Sequence, residues 1–354
     1  MRRASFRRRI EAAWYDPPSV ATTLLAPLGW LYGAVMAVRR AAYRAGLLPS
    51  LLLPVPVIVV GNITVGGTGK TPVVAWLVGE ARALGFRPGI VSRGYGGRVG
   101  RGPRRVMLGD EAAVVGDEPL LLARETAVPV CVGSDRVAAA RSLVAAGCDL
   151  IVADDGLQHL RLGRDAEVVV VDGARLSGNG RLLPAGPLRE PWSRLGRVDM
   201  VLVNGPPARE PHWPAPGLCH GFSLVPGDAE QFAGAGRRPL ASFAGQRVYA
   251  LAGIGNPDRF RRTLAAGGLQ PELLGVDDHG RAGKAELARA TSAPLLMTMK
   301  DAVKYGPGDR PPGAEWWQVP VRLEPTAEAR AALLQLLQRC RGKVRPGAGG
   351  DGGR

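Results

Sequence analysis

The 354-residue chain has only four cysteines, Cys131, Cys148, Cys219 and Cys340, and no two of them form a C-x-x-C pair. That absence argues against a cysteine-built zinc site and a disulfide framework, and it fits a reducing compartment. Aromatic residues make up only 5% of the chain, and no basic stripe is interleaved with them, which argues against a nucleic-acid binder. Acidic residues are in deficit: 31 stand against 46 Lys and Arg, giving a formal charge of +15 and a sequence pI near 10.6. Such an excess of positive charge implies anionic partners, whether nucleotide phosphates, a phosphorylated substrate, acidic lipid head groups or nucleic acid, the last disfavoured by the scarcity of aromatics. Arginine supplies most of it and suits bidentate phosphate contacts. Internal repeats are also absent. The length suits two domains, and 46% hydrophobic residues is ordinary for a folded protein.

Near the N-terminus, an arginine-rich arm leads to Val20–Val38, 19 residues without a charge. As one helix this run would be about 28 Å long, enough to cross hydrocarbon. Trp14, Tyr15, Trp30 and Tyr32 are placed to anchor it at an interface. A cleaved signal peptide is disfavoured, because no A-x-A site closes the run. A buried amphipathic helix is the competing reading, since Pro27 and Gly29 weaken a simple span. A membrane-associated helix is the preferred expectation. Basic residues flank both ends, so charge does not orient it.

What is present is most informative at Val55–Thr71, VPVIVVGNITVGGTGKT. β-branched residues make a strand, a glycine-rich turn follows, and Lys70-Thr71 opens a helix. This arrangement cradles polyphosphate: glycines admit the backbone to the phosphates, Lys70 reaches the β- and γ-phosphates, and the Thr71 hydroxyl holds Mg²⁺. The general pattern G-x-x-x-x-G-K-[ST] asks for Gly where Thr64 stands, with Gly66 and Gly67 supplying the flexibility instead. The expected nucleotide-binding residues are Thr64, Val65, Gly66, Gly67, Thr68, Gly69, Lys70 and Thr71.

Strand candidates at Val55–Val60, Pro88–Ser92, Val128–Val132, Leu150–Ala153, Glu167–Val171 and Met200–Val203 alternate with helices at Thr71–Leu84, Glu118–Arg124 and Arg136–Ala146. The fold class expected is α/β: a P-loop NTPase-like parallel sheet domain, a second, smaller α/β domain and the N-terminal helix. Such sheets bind ligands beyond the carboxyl ends of their strands. Ser92-Arg93-Gly94-Tyr95-Gly96-Gly97, Asp154-Asp155, Asp172 and Asn204 all follow strands and so gather at one edge. The proline-rich Gly205–Gly217 reads as a connection, and a further strand begins at Arg247. The expected division is 1–50 for the basic arm and anchoring helix, 51–205 for the phosphate-loop domain, 206–340 for the second domain and 341–354 for a disordered tail.

Asp154 and Asp155 follow the apolar run LIVA, where an acid near a phosphate loop holds Mg²⁺ directly or through water. His159 could contact phosphate or simply pack. Asp117 in Gly116-Asp117-Glu118-Pro119 reads first as a helix cap, with a carboxylate aimed at the cleft as the functional alternative. Asp277-Asp278-His279 could tune a general base or be merely solvated. Gly178–Pro191, carrying Arg181, Arg189 and Glu190, could clamp phosphate or be a surface loop stiffened by prolines.

Together these segments resemble the tetraacyldisaccharide 4'-kinase family, membrane-associated lipid A kinases of Gram-negative bacteria. The resemblance is carried by GNITVGGTGKTP (Gly61–Pro72), SRGYGG (Ser92–Gly97), GDEP (Gly116–Pro119), DDGLQH (Asp154–His159) and LLPAGPLREP (Leu182–Pro191), with DDH (Asp277–His279) and KDAVK (Lys300–Lys304) in support. It implies an ATP- and Mg²⁺-dependent phosphotransferase acting on the 4'-hydroxyl of an acylated glucosamine disaccharide 1-phosphate in lipid A biosynthesis, at the cytoplasmic face of the inner membrane. Asp117 matches the family's base, His279 its supporting partner, and Asp154, Asp155 and Glu190 its acids near Mg²⁺. Lys70, Asp117 and His279 are thus the expected catalytic residues, and Thr71, Asp154, Asp155 and Glu190 the expected metal set. Two departures bear on the second domain: Gly280 stands where members often have a second histidine, and Met299 where they often have Glu. A membrane-associated switch ATPase is the alternative, but Val65 replaces the lysine usual in that loop. Asn204-Gly205-Pro206-Pro207 lacks the N-K-x-D pattern for guanine.

Overall fold

The chain is described by a computed structural model covering residues 13–15, 19–100, 102–254, 257–276 and 280–343. Val57–Gly61 (β1) is VIVVG, and each of its residues is buried. Ile58 and Val60 feed the core on one face of the sheet, Val57 and Val59 the core on the other. A strand apolar on both faces belongs in the middle of a parallel sheet. Accordingly, β1 pairs in parallel with Leu150–Asp154 (β5) on one side and Ala166–Asp172 (β6) on the other. Pro88–Ser92 (β2), Val130–Val132 (β4), Met200–Asn204 (β7) and Cys219–Pro226 (β8) extend it in parallel. Arg104–Arg105 (β3) and Val321–Pro325 (β15) close the edges antiparallel. The order is β15-β8-β7-β6-β1-β5-β2-β4-β3. The expected α/β class and the six expected strands are present, with ends moved by one or two residues.

Helices cover both faces. Lys70–Ala83 buries Val73, Val74, Leu77, Val78 and Ala81, one apolar stripe at helical spacing. A second sheet orders Ala229–Gln231 (β9), Arg237–Arg238 (β10), Arg247–Leu251 (β11), Gln270–Leu274 (β12), Leu295–Thr298 (β13) and Trp316–Val319 (β14) as β10-β9-β14-β13-β11-β12. It has its own cores, around Trp316, Tyr249 and Tyr305 on one face and Phe243, Phe260 and Trp317 on the other.

The chain path between the sheets is more interleaved than expected. The boundary drawn at 205/206 falls between β7 and β8, which are hydrogen-bonded neighbours. The proline-rich segment is an excursion that returns to the same sheet. After β14 the chain comes back again: β15 pairs with β8, and the Ala327–Arg341 helix puts Ala329, Leu333, Leu336, Leu337 and Cys340 into the core that holds Val73 and Leu77. The smaller sheet is therefore an insertion spanning 229–319. Of the expected tail, 344–354 lies outside the described residues.

The N-terminal run also departs from expectation. Among the described residues, no helix is long and apolar enough to cross a membrane. Val20–Leu24 ends at Leu25, and Ala26–Arg44 begins a new helix with Pro27 in its first turn. Proline has no N–H for the preceding turn and clashes with its carbonyl, so one continuous span is interrupted there. The second helix lies along the protein. Gly29 allows close approach to the Leu182 carbonyl, and a β-carbon there would come within 3.0 Å of it. Its opposite face exposes Leu28, Leu31, Val35 and Val38, and Val20 and Leu24 of the short preceding helix are exposed as well, the six at spacings of three and four.

Leu333→Ala should lower the unfolding free energy by about 2–5 kcal/mol, the usual cost of a cavity in a core. Chemical denaturation would check it, and a wild-type midpoint would show that the C-terminal helix does not complete the large sheet's core.

Candidate active site

The ends of β1, β5, β2, β6 and β7 meet at one edge of the large sheet. Gly66 and Gly69, with φ of 105° and 98°, turn the loop between β1 and the Lys70–Ala83 helix. Thr64, where the general pattern asks for glycine, is instead in a β-bridge with Leu188, a conformation that needs no glycine. Val65 N–H donates to Pro187 O at 2.8 Å, and Asn62 Nδ2 donates to Gly66 O at 3.2 Å. Asn204, from the end of β7, donates to Thr68 O at 2.9 Å. A β-carbon on Gly69 would sit 2.6 Å from Asn204 Nδ2, so the glycine is required by space as well as by φ. Gly67 is exposed, and Thr71 is half-buried in the first turn of the helix.

Lys70 Nζ lies 3.6 Å from Asp155 Oδ1. Asp155 is held at φ 48°, just past the end of β5. Arg189 reaches its carboxylate at 3.3 Å, and Arg136 donates to its carbonyl at 2.7 Å. Burial works to raise the Asp155 pKa, but Lys70, Arg189 and Arg136 outweigh it and hold the group below its ordinary value. Its neighbour behaves oppositely. Asp154 is buried, and burial together with the charges of Glu118 and Asp155 pushes its pKa up to about 7. Ser92 Oγ donates to its Oδ2 at 3.3 Å, while Oδ1 has no hydrogen-bond partner. An orphaned carboxylate oxygen beside a phosphate loop suits a hard cation. Among the described residues, no three acidic, histidine or cysteine side chains form a metal cage by themselves. That fits Mg²⁺, which commonly takes one or two carboxylates and completes its shell with phosphate and water.

Asp117 is the first residue of the Asp117–Thr126 helix and is buried. Its Oδ1 accepts from Glu118 N–H at 2.9 Å, and Lys304 Nζ is 3.8 Å from its Oδ2. Lys300 pairs with Glu118 at 2.9 Å. The Lys300–Lys304 segment of the smaller domain thus meets the Asp117-Glu118 turn of the larger one. Arg259 crosses the same cleft to Asp172 Oδ1 at 3.2 Å. Asp277, Asp278 and His279 lie outside the described residues.

Glu190, expected among the metal acids, is differently employed. Arg40 Nη1 meets its Oε2 at 2.6 Å, Arg194 Nε lies 3.3 Å from the same oxygen, and Gln158 Nε2 donates to Oε1 at 2.9 Å. Both oxygens are occupied, by cations and an amide, so the carboxylate pins the N-terminal helix. His159 is held neutral: burial, with Arg136 and Arg164 nearby, lowers its pKa to about 4. Three residues at this edge escaped the sequence reading. Arg136 is buried against Asp155, Arg175 stacks on the Tyr15 ring at 4.9 Å, and Arg259 pairs with Asp172. In an arginine-rich chain, nothing local separated them from solvated arginines.

The sequence model of the tetraacyldisaccharide-1-P 4'-kinase family matches residues 21–338. Curated relatives named tetraacyldisaccharide 4'-kinase include one from Alkalilimnicola ehrlichii, 51% identical over 91% of this chain and 95% of the relative. Another, from Pseudomonas aeruginosa, is 48% identical over 91% and 95%. Among solved structures, the chain is similar to LpxK from Aquifex aeolicus crystallised in complex with ATP. The TM-score is 0.71 and the identity 26%, covering 91% of this chain and 99% of that one.

The raised Asp154 pKa sets a stability test. Its folded pKa of about 7 exceeds the ordinary 3.8, so ionisation costs stability as pH rises between those values, and the full cost stands above them. Asp154→Asn should therefore melt higher than wild type at pH 8 without nucleotide or Mg²⁺, with the advantage shrinking toward pH 4. An advantage independent of pH would contradict the assignment.

Proposed function

The chain belongs to the tetraacyldisaccharide-1-P 4'-kinase family, and we propose that its cleft moves the γ-phosphoryl group of ATP to the 4'-hydroxyl of an acylated glucosamine disaccharide 1-phosphate, a lipid A precursor. The observations that carry this reading are a phosphate loop that opens the Lys70–Ala83 helix, with Lys70 on Asp155, and a buried carboxylate, Asp117, at the contact with the smaller domain. Loop amides and Lys70 neutralise the β- and γ-phosphates and align them, which is most of what phosphoryl transfer asks of a protein. Lys70 then exchanges Asp155 for phosphate as its partner. Asp117 accepts the proton of the attacking sugar hydroxyl, and His279 is the residue we assign to support it. Thr71, Asp154 and Asp155 would hold Mg²⁺, which supplies charge stabilisation on the transferring group.

Four acyl chains keep such an acceptor in a bilayer, so the enzyme must work at a membrane surface. The exposed ridge from Val20 to Val38, with Trp30 beside it, supports docking along the interface without a crossing. Arg44, exposed at the end of the Ala26–Arg44 helix, suits anionic head groups. With ATP as the donor, docking of this kind supports the reading that the protein works at the cytoplasmic face of the inner membrane. A switch ATPase would hydrolyse ATP with no lipid acceptor, whereas a kinase consumes ATP only as acceptor is phosphorylated.

Incubation with labelled ATP and tetraacyldisaccharide 1-phosphate should yield the 4'-phosphorylated product. Asp117→Ala should keep its affinity for an ATP analogue while transfer slows by about 10²–10⁴, the usual worth of a positioned base. Undiminished transfer would remove Asp117 from that role. Leu31→Glu combined with Val35→Glu should reduce flotation with anionic vesicles and leave nucleotide affinity intact. Equal flotation would refute docking through this ridge.

A further inference from the structure

Lys304 is a buried lysine in a turn that the phosphate chemistry does not use. Its side chain is 5% exposed. The ammonium donates to Asp301 Oδ1 at 2.8 Å and to the Gly280 carbonyl at 3.0 Å, and it stands 3.8 Å from Asp117 Oδ2. Asp301 is itself fixed on every side. Its Oδ2 accepts from Thr298 Oγ1 at 2.6 Å and from Gly253 N–H at 3.0 Å, and its own N–H donates back to Thr298 Oγ1 at 3.1 Å. One cation therefore gathers the end of β13, the loop after β11 and the backbone at 280, all in the smaller domain. It presents that assembly to a single carboxylate of the larger domain. The separation from Asp117 is that of an ion pair and is longer than a hydrogen bond. Two buried carboxylates share one ammonium, and the stronger contact goes to Asp301. Lys304 thus stabilises charge on Asp117 without a short bond to it.

We propose that Lys304 is a positioning residue for phosphoryl transfer: it holds Asp117 charged and aimed into the cleft, and only when the smaller domain is seated. The proposal rests on the reading of Asp117 as the base. Lys300, pairing with Glu118 one residue away, is the lateral contact that a purely structural seam would also need, and it serves as the control.

The test is a double-mutant cycle on the full-length enzyme with ATP and the disaccharide acceptor. Lys304→Met should lower kcat by about 10² or more, within the range of a mispositioned base, with affinity for an ATP analogue unchanged. Lys300→Met should leave kcat far closer to wild type. Lys304→Arg, which keeps the charge but spreads it over a larger planar group, should fall between. Combined with Asp117→Asn, Lys304→Met should add no further loss, because both act through one carboxylate. Losses that multiply, or equal losses from Lys300→Met and Lys304→Met, would overturn the proposal. If Lys304→Met does not fold, Lys304→Arg carries the same cycle. Wild-type turnover in Asp117→Asn overturns the base and this proposal together. Wild-type turnover in Lys304→Met alone overturns only the second.

Discussion

Backbone amides of residues 66–71 can converge on an anion only if the loop doubles back tightly, and a glycine-rich segment alone would rather be disordered than do so. The structure holds that turn from three directions. Asn62 fastens it from within, Asn204 fastens it from the end of β7, and the 187–188 backbone pairs with it as a short bridge. The conformational cost is met before any phosphate arrives, so binding energy goes into alignment. The parallel sheet supplies this for a simple reason. Strands that all run the same way bring their carboxyl ends, and the loops after them, to one edge.

Charge is sorted at that edge with adjacent acids in opposite states. Asp155 sits among Lys70, Arg136 and Arg189 and stays ionised, while Asp154, one residue earlier and deeper, is lifted toward neutrality by burial and by the acids around it. A site so arranged has one acid that pairs with Lys70 and another that burial and neighbouring acids keep close to neutral.

Glu190 ties this centre to the N-terminal helix. It receives Arg40 from the helix, Gln158 from the turn after β5 and Arg194 from its own loop. Gln158 also reaches the Asn62 carbonyl, and Tyr32 donates to the Arg189 carbonyl. The helix that presents an apolar ridge outward is thus wired inward to the phosphate loop. The apolar ridge and the phosphate loop are two ends of one network of hydrogen bonds and ion pairs.

Much of this was legible in the residues. The apolar runs of β1, β5, β6 and β7 named themselves because strands buried on both faces have no polar alternation to hide them. GGTGKT specified its own turn, since only that order of glycine, lysine and threonine makes a phosphate cradle followed by a helix. What periodicity could not see was long-range. Proline-rich 205–217 looked like a domain linker because an excursion and a linker have the same composition; only pairing of β8 with β7, and return of β15 and the last helix, distinguished them. Glu190 resembled a metal acid by position, and only the fold showed that one of its oxygens meets Arg40 and Arg194 and the other Gln158, partners that packing brings from far away and nearby alike. Sequence by itself determined the kinds of element and the chemistry each strand end could offer, because these depend on local sterics and side-chain type. Tertiary structure alone decided which charge meets which, because ion pairs such as Lys304 with Asp117 join residues far apart in the chain that only the folded seam brings together.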